Sequence, residues 1–268
     1  MRRGRQEIAD PNARRSNAQI VTLTAHAGIT SRLAAGVAVP LNRRQQTDVL
    51  PGGARVGRDH AGLGDVVAMG YARLTPALSR REWTVGAGMQ FGTGESRAED
   101  ATGELPQDLQ PGTGANAAVL VSSFAWGFGA LTASAGATWR LPGTLTKIDA
   151  DTSAGTETRR DYRFGNELLY GAALAWSPDA RWGFELGVRG RHAEPDRATS
   201  LEPGGTTGPV ETLPSTGSER VWLAPAVRVA TARATTLSAG VLLPIWENLR
   251  GTQLASDVGV RLAVTGIW

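Results

Sequence analysis

RWGFELGVRGR, residues 181–191, alternates with period two. Trp182, Phe184, Leu186 and Val188 fall on one face, and Arg181, Glu185, Arg189 and Arg191 on the other. Such alternation marks a strand whose two faces meet different surroundings. Working outward, the pattern recurs. In 82–92, Trp83, Val85, Ala87, Met89 and Phe91 oppose Glu82, Thr84, Gly86, Gly88 and Gln90. In 19–29, Val21, Leu23, Ala25 and Ile29 oppose Thr22, Thr24, His26 and Gly28. Segments 32–41 and 236–245 repeat it with Leu33, Val37 and Leu41, and with Leu237, Val241 and Ile245.

Eleven segments carry it: 19–30, 32–42, 62–74, 82–92, 114–126, 129–140, 162–176, 181–192, 220–231, 235–245 and 253–268. Most are longer than the five or so residues of an ordinary globular strand. A strand tilted across a bilayer needs about 9–11. The connections alternate in length. Short ones follow the odd segments, and long ones (43–61, 93–113, 141–161, 193–219 and 246–252) follow the even ones. Short turns on one rim and long loops on the other predict an all-β fold, a transmembrane antiparallel barrel of the bacterial outer membrane with periplasmic turns and extracellular loops. The loop 193–219, LEPGGTTGPVETLPSTGS at its centre, reads as flexible by composition.

Tryptophan placement points the same way. Trp83, Trp126, Trp176, Trp182 and Trp268 fall at strand ends on the short-turn side, and Trp139, Trp222 and Trp246 on the long-loop side. The expectation is an aromatic girdle at both membrane interfaces. The tail GVRLAVTGIW, 259–268, closes the chain on an alternating strand. Val260, Leu262, Val264 and the terminal Trp268 are expected to act as the signal that the barrel-assembly machinery reads.

Composition excludes several classes. The chain has 268 residues and no cysteine, so it has no disulfide framework or thiolate metal site. Net charge is +3, with no basic stripe interleaved with aromatics, which argues against nucleic acid. No apolar run reaches the ~18 residues of a membrane-spanning helix. Met1-Arg2-Arg3-Gly4-Arg5 begins like a secretion signal, but an apolar stretch does not follow. Counting back from the tail, segment 19–30 starts outside the cell, and bacterial single-chain barrels have even strand numbers. The expectation is therefore residues 1–18 as the remnant of an extracellular loop, 19–268 as the barrel, and one more strand with a signal upstream of Met1, about 12 strands in all.

The chain resembles the outer-membrane transporter family named for the meta-pathway of phenol degradation. The landmarks run in order over residues 19–268: GVAVPL closing 21–40, GLGD at 62–65, VGAGMQFGTG at 85–94, LQPGTG at 109–114, and LPIWENLRGTQL at 243–254. The resemblance implies an outer-membrane barrel near pathways that handle aromatic or other hydrophobic compounds. It implies no particular solute.

Charges within the strands are expected inside, because an arginine facing lipid at the midplane costs about 2–4 kcal/mol. The candidate lumen residues are Glu82, Glu167 (or Arg163 in its place), Arg181, Glu185, Arg189, Arg228, Asp257 and Arg261. They fit either a water-filled path that favours anions or a lumen plugged by paired charges. His26, His60 and His192 are not placed to converge on a metal. A barrel hydrolase would need Ser31 or Ser79 with His26, and nothing marks a nucleophile. Gly62-Leu63-Gly64-Asp65 lacks the third glycine and the lysine of a phosphate loop. It reads as a strand opening with Asp65 capping a turn. Asp100, Glu104 and Asp108 read as a solvated acidic loop, or as a cation or lipopolysaccharide contact.

The sequence thus predicts an outer-membrane channel or transporter-like barrel for small solutes, aromatic or anionic ones among them. It would have no catalytic site, metal or cofactor, and its partners would be outer-membrane lipid, lipopolysaccharide and the assembly machinery. The rivals are a closed barrel acting through its loops, an outer-membrane enzyme, and a soluble β protein.

Overall fold

A computed structural model describes residues 2–7, 14–49, 53–76, 79–100, 103–105, 109–151, 156–201, 207–232 and 234–266. Two short strands open the chain, β1 (Arg2–Gly4) and β2 (Gln6–Glu7). Then come β3 (Arg15–Gly28), β4 (Leu33–Val49), β5 (Arg55–Leu63), β6 (Val66–Arg73) and β7 (Arg81–Phe91). The short pair β8 (Glu99–Asp100) and β9 (Gly103–Glu104) precedes β10 (Ala117–Phe128), β11 (Leu131–Pro142), β12 (Thr144–Asp151) and β13 (Thr156–Arg163). The remainder is β14 (Glu167–Trp176), β15 (Trp182–Ala193), β16 (Arg197–Leu201), β17 (Thr207–Thr212), β18 (Ser218–Ala232), β19 (Thr235–Gln253) and β20 (Gly259–Gly266). Among the described residues no helix is long and apolar enough to cross a membrane, which says nothing of strands.

One 14-stranded antiparallel sheet holds all the long strands, each beside its neighbour in sequence. β5 and β6 act as one strand broken at Gly64 and Asp65. Between the pairs Ala38↔Val67 and Leu41↔Leu63, β4 advances three residues and its partner four. The extra residue is a β-bulge. The sheet is therefore crossed eleven times, at the places the alternation predicts.

The strands are strongly staggered. From Glu167, the first residue of β14, direct neighbours run Arg140, Val119, Gly88, Met69, Gly36 and His26. His26 lies near the last residue of β3, so a line across the strands climbs from one rim to the other. Such stagger is what a tilted, barrel-like curl requires. At one end of the sheet stands β3. At the other, β20 pairs with the first half of β19, and β1 pairs with its last residues.

Much of what the sequence assigns to long loops is strand. β4 and β5 continue as a hairpin to Val49 and from Arg55. Segments 141–161 and 193–219 supply β12, β13, β16 and β17, which form their own four-stranded sheet, so 193–219 is not a flexible loop throughout. The Tyr162 hydroxyl, against Phe164, donates to Asp196 and ties this sheet together. β19 continues through Gln253. These extensions escape the alternation rule because both of their faces are polar. Residues 1–18, expected as a loop piece, include β1, β2 and the first turns of β3.

The two faces of the main sheet differ throughout. On β15, Trp182, Phe184, Leu186 and Val188 are exposed, while Gly183, Glu185, Gly187, Arg189 and Arg191 are buried or half-buried. Register carries this phase around the sheet. Tyr170, Leu174 and Trp176 share the first face, as do Leu120, Phe124, Trp83 and Met89. The tail residues Val260, Leu262 and Val264 continue it at 73–76% exposure, opposite Val241, Ala239 and Leu237.

Candidate functional site

The second face encloses a cavity of about 730 Å³ that draws its lining from β7 through β19, so the sheet curls around this face. Glu82, Ser123, Ser134, Glu185, Arg189 and Trp222 line it. Of the sequence candidates, Glu82, Glu167, Glu185, Arg189, Arg228 and Arg261 all sit in this concave phase. Glu82 accepts a hydrogen bond from Arg73 at 3.2 Å. Arg228 lies over Gly183, whose missing side chain makes room for the guanidinium.

Two candidates stand elsewhere. Arg181 belongs to the turn before β15, where its guanidinium stacks 5.9 Å from the Trp182 ring. Its N–H and that of Trp182 donate to Asp179, which holds that exposed carboxyl below the usual range. Asp257 belongs to the connection 254–258, where alternation no longer fixes direction. That connection tucks inward: the Ser256 N–H donates to Glu247 at 2.9 Å, and Arg220 donates to the Ser256 hydroxyl.

The tryptophans divide. Trp83, Trp126, Trp139, Trp176 and Trp182 stand on the outward face, 41–49% exposed. Trp176 and Trp182 both stack on Phe184, and Trp126 meets Phe128 edge-on. Arg81 lies over Trp126 as Arg181 does over Trp182, so two indoles at the short-turn rim carry a cation. Trp246 is outward too, under Arg5. Trp222, expected in the girdle, instead faces the cavity directly beside Arg189. It stands an even number of residues from Arg228, and so shares that residue's face. Trp268 lies outside the described residues.

At the end bearing the long connections, the concave face is covered. Leu249, Val119, Ala117, Ser218 and Glu247 are at most 4% exposed there. Segment 93–116 does part of the covering. Several concave side chains meet it: Asn42 donates to the Pro111 carbonyl, His60 lies 2.9 Å from Glu95, and Gln90 donates to Thr113. Its own core is Ala98, Leu105 and Leu109 around a buried Gln110, which bonds Ala98 and Leu105 backbone. Asp108 lies outside the described residues. β8 and β9 place Asp100 and Glu104 in a two-strand ladder.

Asp65 pins this segment, which corrects its reading as a local turn cap. The bulge turns its carboxylate inward. It accepts from Gln90 at 3.0 Å, Gly94 N–H at 3.0 Å, Thr113 N–H at 2.8 Å and the Thr113 hydroxyl at 2.6 Å. The motifs GLGD, GTG and PGTG thus meet at one carboxylate. Gly94 and Gly112 touch backbone to backbone: a Cβ on Gly112 would come within 2.5 Å of the Gly94 Cα. Gly114 has φ +67°, a conformation that favours glycine.

Sequence reasoning missed a belt of charge on the same face. Arg140 donates to Glu167 at 3.0 Å, Glu167 also pairs with Arg191, and Arg220 lies 3.8 Å from Glu247. Extending the alternation to the strand tops would have found it. The His26 ring lies tilted against Tyr71, centroids 5.7 Å apart, while Ser79 turns its hydroxyl to the Arg81 N–H. Among the described residues, no three His, Asp or Glu cluster as a metal site.

The fold defines an antiparallel barrel-like sheet with an apolar outside and a charged, cavity-bearing inside. The COG4313 outer membrane channel from Pseudomonas putida F1 has a similar fold. The match covers 99% of this chain and 89% of that one, with a TM-score of 0.67 and 13% identity. No family model and no curated protein matches the chain.

Proposed function

We propose that the chain is a channel of the bacterial outer membrane that passes small solutes, aromatic or anionic ones among them. One observation carries this reading: the polarity of the sheet is inverted relative to a soluble barrel. The outward face bears Leu, Val, Phe and Trp in a contiguous exposed band of a kind that water-soluble monomers rarely show. The charges gather inside. The rim indoles fit a headgroup girdle, and the strand ending in Val260, Leu262 and Val264 fits an assembly signal. The long connections would then face lipopolysaccharide and the medium.

Glu82, Glu167, Glu185, Arg189, Arg228 and Arg261 would line the path. Arg73 neutralises Glu82, and Arg140 and Arg191 bracket Glu167, so unpaired arginine leads inside. That excess favours anions. A second reading, a closed barrel acting through its loops, draws on the inward fold of segment 93–116. Planar-bilayer conductance of the protein, with folding checked by heat-modifiable gel mobility, separates them. The channel reading expects discrete steps with anion-selective reversal potentials. Silence from the folded protein refutes it in favour of the closed barrel.

A further inference from the structure

The concave face combines a bare floor with a charged and an aromatic wall. One line of direct cross-strand neighbours runs Ser123, Gly136, Gly171, Arg189, Trp222. Three adjacent strands therefore offer a hydroxymethyl group and two hydrogens where larger side chains would otherwise stand. At about 4.8 Å per strand this floor is roughly 14 Å wide, enough to lay a planar ring flat. The cavity over it has the size of a small-molecule site.

The electrostatics are lopsided at the same place. Among the described residues Arg189 has no hydrogen-bond or ion-pair partner, although its neighbours two residues on, Arg191 and Arg220, lie in the belt with Glu167 and Glu247. Its stem packs beside Gly171, 3.7 Å from where a Cβ would stand. Arg261, on β20, and Glu185, in the cavity lining like Arg189, are both near enough for their charges to act at Arg189, but neither is bonded to it. Glu82, the acid across the cavity, is paired with Arg73. A guanidinium with no carboxylate bonded to its fork, in a cavity it can reach, is a receptor for one.

We propose that Arg189, Trp222 and the Gly136–Gly171 floor form a binding station for a small aromatic carboxylate. The carboxylate meets Arg189 as a fork, the ring lies on the glycine floor, and Trp222 presents its indole to the ring edge or face. The station rests on the reading of the concave space as a solute path, but binding and passage are measured separately.

The probe is benzoate, titrated calorimetrically into the full chain folded in detergent micelles, with empty micelles as the blank. Acetate lacks the ring and benzyl alcohol the charge, and each should bind at least about tenfold more weakly than benzoate. Arg189→Gln should weaken benzoate about tenfold or more. Ser123→Leu, at a floor position that already carries a Cβ, should do the same by filling the floor while every charge stays in place. Arg81→Gln removes an equal charge from the outward rim, away from the cavity lining, and should leave affinity within about twofold. If benzoate binds no better than acetate, or if Arg81→Gln weakens it as much as Arg189→Gln, the station is overturned. Conductance steps without benzoate binding also overturn it. Benzoate binding by a protein silent in bilayers upholds the station and removes the channel reading alone.

Discussion

Removing the Asp65 carboxylate should release segment 93–116 from the concave face. In Asp65→Ala, the Gly94 and Thr113 N–H groups, the Thr113 hydroxyl and the Gln90 amide all lose their acceptor. A hydrogen bond to a charged group contributes about 1.5–3 kcal/mol. Counting only the two backbone donors, at the low end, gives about 3 kcal/mol. By the same scale, the population in which the segment is open rises about a hundredfold. Trypsin reads this directly. Arg97 is exposed, but the residue after it, Ala98, is 2% exposed with its N–H bonded to Gln110. Cleavage there requires local opening, so its rate follows the open population when opening is fast. The folded protein should be cut slowly at Arg97, the Ala variant about a hundredfold faster. Asp65→Asn keeps one acceptor oxygen but turns an amide donor toward other donors, and should fall between. If Asp65→Ala keeps its heat-modifiable mobility and is cut within about twofold of the parent rate, the latch is refuted.

The outward and inward tryptophans should separate in brominated lipid. Single-tryptophan variants retaining Trp83, Trp126, Trp139, Trp176 or Trp182 should be quenched, and one retaining Trp222 should not. Equal quenching of Trp222 would place it on the wrong face. On the β4–β5 hairpin beyond the apolar band, Arg43 and Gln45 hydrogen-bond Asp59 and bring its carboxyl down to about 2. A lowered carboxylate adds stability above its unfolded value of about 3.9, and loses it as pH falls through about 2. Between neutral pH and about pH 5 the carboxyl is ionised both folded and unfolded, so the pair should leave stability unchanged there. Carbon NMR should find Asp59 titrating near 2, and Arg43→Ala should raise it toward the ordinary range. An unmoved titration would deny the pairing.

Where the two faces of a strand meet different media, the sequence was legible. β15 reads directly, because every second residue is large and apolar and the others are charged or glycine. The hairpin beyond Leu41 does not, because Arg43 and Asp59 on one side and Arg44 and His60 on the other are all polar. Period two vanishes there although the backbone is strand. Trp222 shows a different failure. Its parity with Arg228 was visible, but its place near a strand end suggested a girdle. The partners of Asp65 lie 25 to 48 residues away, and nothing local announces that GLGD, GTG and PGTG share one carboxylate.

The concave face is divided by how well its charges are satisfied, and this division carries functional weight. At the long-connection end, Asp65, Gln110, Glu167 and Glu247 are buried or half-buried, and each has partners. A buried charge without partners would shift its proton or unfold its surroundings, so such groups can persist only inside closed networks. These networks fix the covering segment. Toward the open cavity, Arg189 has no hydrogen-bonded partner among the described residues and stands beside glycines that leave space. Water can solvate it there at little cost, and a passing carboxylate can displace that water. On the proposed reading of the concave space as a solute path, the station on that path is therefore indicated less by the density of hydrogen bonds than by where they stop.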